Sequence, residues 1–329
     1  MRCMKLPGRR DVVVGLALSL AGPALSAPTE ATVGTLLVAG PPGGRLDRWG
    51  ELVAPLLARG MLSRTPMVLI NVGGIDGVTG ANQFEARGAP DGTTALLVPG
   101  GAALSWLAGE TRAQFDPARW VPLWAATNAA VLVSRNALVP GSKLRVAAAS
   151  PAGPEMPALL ALDLLGITAI LSPAASADAS LIRGPNFNEA LFAAAFAGFQ
   201  PVMSLGDPNA TGQAGRDPRL PTVPTSFELI QNRAPADLLA ALMAAQTATQ
   251  LEAGLVLPAL TPASSVAAWR RACLMLQQAP EILREAARLG TRVIPAESVA
   301  TCTSGIAGNS TTLLALRRWL ATRHEWRPA

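Results

Sequence analysis

The residues with the clearest chemical potential are glycines rather than acids, bases or nucleophiles. Three clusters each follow a short aliphatic run: Pro41-Pro42-Gly43-Gly44 after Val33 to Val38, Gly73-Gly74-Ile75-Asp76-Gly77 after Met67 to Val72, and Gly100-Gly101 after Thr93 to Val98. A glycine-bearing loop that opens a helix points unpaired backbone N–H groups at an anion, and the helix dipole adds favourable charge. A carboxylate is the natural guest. Arg45, directly after the first pair, either adds an ion pair or stands exposed on the helix start, while an acid at position 76 repels an anion unless it turns away or meets Arg45. The competing reading is that these glycines only make turns.

Most other chemistry is excluded by what the chain lacks. It holds one histidine, His324, near its end, so neither a histidine-based triad nor a multi-histidine metal site assembles from it, and no metal is expected. There is no tyrosine, no C-x-x-C pair and no phosphate-binding G-x-x-x-x-G-K-[ST] or G-x-G-x-x-G loop, which leaves no cofactor to predict and argues against an enzyme. Cys3 falls in the basic leader, leaving Cys273 and Cys302, which either pair as a disulfide worth about 3 kcal/mol or remain two buried thiols.

The elements that must carry these loops alternate as βα units. Helices are predicted over Leu46 to Arg59, kinked or split at Pro55, over Thr79 to Arg87, and near Leu104 to Ala108. In an open parallel sheet the three loops gather at the carboxyl ends of the strands, the edge where such folds bind ligands. Strands are also predicted at Ala130 to Val133, Val146 to Ala149 and Gly254 to Leu257. Helices follow over Pro157 to Leu165, Asn188 to Phe199, Pro235 to Gln250, Ser264 to Gln278, Glu281 to Leu289 and Thr312 to His324, and a long loop over Asp207 to Pro224. Ala174 to Ala179 is low in complexity.

With 329 residues, half of them hydrophobic, the chain has material for about two domains. Its formal charge of +5 owes much to Arg2, Lys5, Arg9 and Arg10, and no basic run interleaved with aromatics points to nucleic acid. That basic start, an apolar stretch from Val12 to Ala21 and the small residues up to Ala27 read as a cleaved export signal over residues 1–26, by the general or the twin-arginine route. The mature protein is then expected in the periplasm, soluble and monomeric.

Six short segments in order from Val38 to Pro262 resemble the substrate-binding proteins of tripartite tricarboxylate transporters, the Bug receptors. They are Val38-Ala39-Gly40-Pro41-Pro42-Gly43-Gly44 with Asp47; Asn71 to Gly80; Ala89-Pro90-Asp91-Gly92-Thr93-Thr94; and Phe115-Asp116-Pro117 with Val121-Pro122-Leu123. The others are Arg216 to Thr225 with Glu228, and Gly254 to Pro258 with Thr261-Pro262. The resemblance implies a two-lobed α/β periplasmic-binding fold of type II, each lobe a mixed, mostly parallel sheet flanked by helices, with lobe 1 at residues 30–128 plus 256–329 and lobe 2 at 129–255. It implies crossovers near Thr127 to Val133 and Ala253 to Pro258, and a small carboxylate held by backbone amides and bridging water. The candidate ligand-binding set is Pro42, Gly43, Gly44, Arg45, Asp47, Gly74, Gly77, Gly80, Gly100, Gly101, Ser150 and Gly153. A membrane permease is the implied partner; the alternatives are a receptor signalling to a membrane sensor and a nucleotide-independent α/β enzyme. Val72 and Gly73 replace the family's Arg-Pro, Asp76 replaces a glycine, and Pro99, Ala102 and Ala103 stand where small polar residues are usual, so side-chain donors are expected to be scarce.

Overall fold

The computed structural model describes residues 33–61, 66–208, 215–231, 233–307 and 309–328; the export signal read in residues 1–26 lies outside them. The three glycine-punctuated units form β1 (Gly34–Val38), α1 (Arg45–Gly60), β2 (Met67–Asn71), α2 (Val78–Arg87), β3 (Thr94–Val98) and α3 (Gly100–Ala108). Strands β1, β2 and β3 pair in parallel with β1 central, so all three glycine loops leave from one edge. The chain then runs through β4 (Val121–Asn128), β5 (Ala130–Ser134), β6 (Lys143–Ala147), α4 (Met156–Leu164), β7 (Thr168–Ser172), β8 (Ala179–Arg183), α5 (Phe187–Phe196) and β9 (Gln200–Ser204). It continues through α6 (Ser226–Ile230), α7 (Ala236–Gln250), β10 (Leu251–Leu257), α8 (Ala263–Gln278), α9 (Pro280–Leu289), β11 (Thr291–Val293), α10 (Ala296–Ala307) and α11 (Ser310–His324).

Two mixed sheets result, ordered β11-β4-β10-β3-β1-β2 and β7-β6-β8-β5-β9. A single residue, Ala129, separates β4 in the first sheet from β5 in the second, and α7 feeds β10 back with no intervening loop. Antiparallel pairing is more extensive than the sequence suggested, because β4, β5 and β10 run against their neighbours where the chain changes sheets. The return also comes earlier than residue 256: β10 pairs with β4 from Leu251, opposite Thr127.

Burial explains why the chain settles this way. One core wraps Trp49 of α1, Trp124 of β4 and Trp269 of α8 around the first sheet. The indole rings of Trp49 and Trp124 lie 5.5 Å apart, a contact worth about 1 kcal/mol beyond its buried area. A second core joins α3, α7, α10 and α11 to α4 and β6 through Leu107, Leu242, Ile306, Leu316, Leu159 and Val146. That shared core runs between the sheets and binds Val33–Ala329 into one compact unit. Polar ties cross the same junction: Gln250 Nε2 donates to the Gly206 carbonyl at 2.7 Å, Arg292 meets Asp207 at 2.6 Å, and Arg219 bonds both Asp217 and the Gly290 carbonyl.

Several expectations change in detail. Pro55 neither splits α1 into two elements nor ends it: the proline sits on the exposed face, as does Glu51, whose carbonyl loses its helical donor. The third helix begins at Gly100 rather than Leu104, so Gly100 and Gly101 lie in its first turn instead of a free loop. The low-complexity stretch hides a turn of 3-10 helix and then β8. Cys273 and Cys302 are both free and buried, one in each core, so of the two alternatives the structure has the separate thiols. Burial pushes each thiol up to about 12.

Candidate functional site

The carboxyl ends of β1, β2 and β3 do converge, and glycine is what lets them. A Cβ on Gly80 would lie 2.6 Å from the Ala39 Cα, and one on Gly77 would meet Pro99 Cδ at 2.5 Å and the Ala39 carbonyl at 3.2 Å. Gly101 approaches the Asp76 carbonyl at 3.1 Å by the same measure, and Gly100 would put its Cβ 1.9 Å from the Ala248 carbonyl. Of the predicted set, Gly77, Gly80, Gly100 and Gly101 therefore face other backbone: they weld the loops to one another and α3 to the end of α7. Gly43 faces open space at a φ of +73° that suits glycine, and Gly74 would meet only Asp76 Oδ1, at an ordinary 3.8 Å.

The first loop is organised by Asp47. Its Oδ2 accepts the Gly43 N–H at 2.6 Å and its Oδ1 accepts Asn71 Nδ2 at 2.8 Å, which ties the loop to the end of β2. Gly44 N–H donates to the Pro41 carbonyl at 3.2 Å. The two glycine amides expected to cradle an anion are thus already engaged, and Asp47, buried, turns into the loop rather than out of it. Pro42 is exposed on the loop's outer surface. Asp76 in the second loop pairs with Arg112 and also accepts the Val78 N–H, so it does not meet Arg45. In the second lobe, Ser150 caps its own loop, its Oγ accepting the Ala152 N–H at 3.2 Å and its carbonyl the Gly153 N–H at 3.3 Å.

Charged side chains, which the sequence reading took to be scarce, gather where the lobes meet. Arg45 leaves the start of α1 and reaches the second lobe: a Cβ on Gly184 would stand 3.5 Å from Arg45 Nη1. The Arg45 Nε lies 3.6 Å from Oε1 of Glu252, an acid buried at the start of β10, and Asn128 Nδ2 donates to the other Glu252 oxygen at 2.8 Å. The Asn128 Oδ1, also buried, has no donor. Arg183, the last residue of β8, is in register with Ala130, one residue past the crossover at Ala129. Burial pulls its guanidinium below the usual arginine range, opposed by the charge of Glu155, with Arg45 and Glu252 close enough to act on it as well. Burial likewise pushes the Glu155 carboxyl above the usual carboxylate range.

Arg183, Glu155, Glu252 and Asn128 were not found by sequence reasoning. Arg183 ends a strand hidden behind Pro173 and a run of small residues, and its one signal was the aliphatic pair Leu181-Ile182 ahead of Gly184-Pro185. Glu252 had a plainer signal, a lone acid opening the apolar run Ala253 to Leu257. The cavities among the described residues lie beside this cluster rather than in it, the roomiest of about 880 Å³ between α8 and α10 and lined by Arg270, Arg271 and Glu297. One of about 490 Å³ opens beside Gly43 and Gly44 and is lined by Arg48, Glu51, Arg284 and Arg288. A further one, about 260 Å³, is apolar and lies between β10 and α10. Its Thr303 and Ser304 hydroxyls donate to carbonyls of their own helix, and its lining also includes Trp124, whose buried indole N–H has no partner.

The chain matches no family model and no curated protein. Solved structures do match it along nearly their whole length. The periplasmic binding protein BugD is 15% identical, with 88% of this chain and 97% of that one covered and a TM-score of 0.52. A TctC solute binding protein from Polaromonas is 16% identical over 86% and 97% of the two chains, with a TM-score of 0.59. R. palustris Rpa4515 with adipate is 16% identical over 89% and 97%, with a TM-score of 0.50. The fold is therefore that of the periplasmic solute-binding proteins. BugD and the Polaromonas TctC protein carry the names of the proteins that the sequence segments resemble.

Proposed function

We propose that this chain is an extracytoplasmic solute-binding receptor that holds a small carboxylate between its lobes and delivers it to a membrane transporter. The division we adopt puts 33–128 with 251–329 in one lobe and 129–250 in the other, turning on Ala129 and on the junction of α7 with β10. The observation that carries the reading is the position of Arg45: a cation set at the converged strand ends of one lobe extends to the chain of the other beside both crossings. Such a group contributes more to the closed state when an anion neutralises it there, which is how a ligand shifts an open–closed equilibrium. Backbone donors from the loop tip near Gly74 complete the surroundings. Glycine loops that serve packing, such as Gly80 and Gly100, shape the edge without touching the solute. The fold relatives' periplasmic setting supports an exported location, and the lone histidine, His324, which permits no histidine-based triad, favours binding without turnover.

A thermal-shift screen of mono-, di- and tricarboxylates tests this. A ligand at a hundredfold excess over its dissociation constant stabilises the folded state by about 2.7 kcal/mol, which for a chain of this size raises the melting temperature by about 4 °C. A panel in which no carboxylate moves the midpoint removes the reading.

A further inference from the structure

We infer that Arg45 and Arg183 form a two-sided clamp for one carboxylate group, and that the solute is a small monocarboxylate bearing a hydrogen-bond donor, an ammonium or a hydroxyl. The inference rests on the receptor reading and names the groups that perform it. Among the described residues the half-buried Arg183 guanidinium makes no hydrogen bond and no close ion pair, and only the charges of Glu155 and Glu252 act on it favourably from further off. A guanidinium partly withdrawn from water without a hydrogen-bonding partner is costly, and its planar fork matches a carboxylate in two parallel hydrogen bonds. The second cation is already in place, because Arg45 Nη1 stands beside Gly184, the residue that follows Arg183. Two like charges drawn together from different lobes repel each other until an anion sits between them.

The acids beside the clamp limit what that anion carries. Glu252 is engaged on both oxygens, by Arg45 and Asn128. The Glu155 carboxylate accepts its own backbone N–H but no side-chain donor among the described residues, and it lies beside Gly153, whose Cβ would be 3.2 Å from its Oε2. Two guanidinium and two carboxylate groups sum to zero, so one ligand carboxylate leaves a single negative charge in the cluster. A second ligand carboxylate adds another and meets Glu155 or Glu252, at a cost that grows in a site shielded from water. A ligand ammonium or hydroxyl instead supplies a second donor beside the Glu155 backbone N–H.

The test compares melting shifts for L-alanine, L-leucine, L-lactate, propionate, succinate and citrate at equal concentration, in the unaltered protein and in Arg183→Gln, Arg183→Lys and Arg45→Gln. The expected result is that the amino or hydroxy monocarboxylates shift the unaltered protein more than propionate, succinate or citrate. Both glutamine variants should bind about tenfold more weakly or worse by calorimetry, with Arg183→Lys in between. Arg45 is exposed, so its variant folds even if Arg183→Gln does not. Full shifts in both glutamine variants overturn the clamp while leaving the receptor. Larger shifts with succinate or citrate overturn the monocarboxylate assignment, and no shift with any compound overturns the receptor reading and the clamp together.

Discussion

Replacing Gly100 by alanine separates a packing glycine from a ligand-binding one. The new methyl would stand 1.9 Å from the Ala248 carbonyl and 2.7 Å from the Leu251 carbonyl, against ordinary contacts of 3.4–4 Å. Backbone rather than a flexible side chain is in the way, so α3 or the end of α7 must move by roughly 1.5 Å. Overpacking of this kind costs typically 1–3 kcal/mol, and a clash with two carbonyls belongs at the upper end, about 3 kcal/mol. A chain of this size has an unfolding entropy of about 0.6 kcal/mol/K, so the melting temperature should fall by about 5 °C. Gly74→Ala is the control: its Cβ would meet only Asp76 Oδ1 at 3.8 Å, and its backbone is not in the left-handed region, so its midpoint should stay within a degree of the parent. Differential scanning calorimetry reads both. Equal midpoints for Gly100→Ala and the parent would refute the reasoning, since the clash would then be relieved at no cost and the glycine would need another explanation.

Other expectations follow from the same contacts. Asp47→Ala removes the charged acceptor of the Gly43 N–H and of Asn71, and should cost about 2 kcal/mol in a urea titration; an unchanged midpoint would mean the loop holds its shape without that carboxylate. Glu285 is held below the usual carboxylate range, first by its hydrogen bonds from Arg288 and then by the charges of Arg288 and Arg48, so it contributes stability above its unfolded value of 4.5. That contribution is lost as the pH falls through the lower folded value, so Glu285→Gln should flatten the acid limb of a stability-versus-pH curve, and parallel curves would contradict it. Cys273 and Cys302, free and raised to about 12, should resist an aromatic disulfide reagent at pH 8 until denaturant is added. Rapid native labelling, or a mass two hydrogens low, would contradict the two buried thiols.

The first half of the fold was legible because β1, β2 and β3 are aliphatic runs closed by glycine, and Trp49, Val53, Leu56 and Leu57 mark one face of α1 at helical spacing. The second sheet was legible only at β5 and β6. Strand β7 mixes Thr168, Ala169 and Ser172 with exposed Ile170 at a sheet edge, and β8 mixes alanine and serine with only two aliphatics, so neither alternates strongly enough to stand out. The site followed the same divide. Glycine spacing locates a loop but cannot say whether its amides face a ligand or a neighbouring carbonyl, and Asp47 shows the second outcome. The charged cluster depends on strand ends that meet only after two crossovers, a relation between Arg45, Arg183 and Glu252 that no local pattern records.

Hydrogen exchange read by mass spectrometry, with and without a saturating carboxylate from the screen, measures the central claim most directly. Holding the solute between the lobes predicts slowed exchange in two places at once, the loop at residues 41–45 in the first lobe and the loops at 150–155 and 183–186 in the second. Protection confined to one lobe, or centred on the apolar cavity lined by Phe115 and Ala300, would place the solute elsewhere and contradict the account.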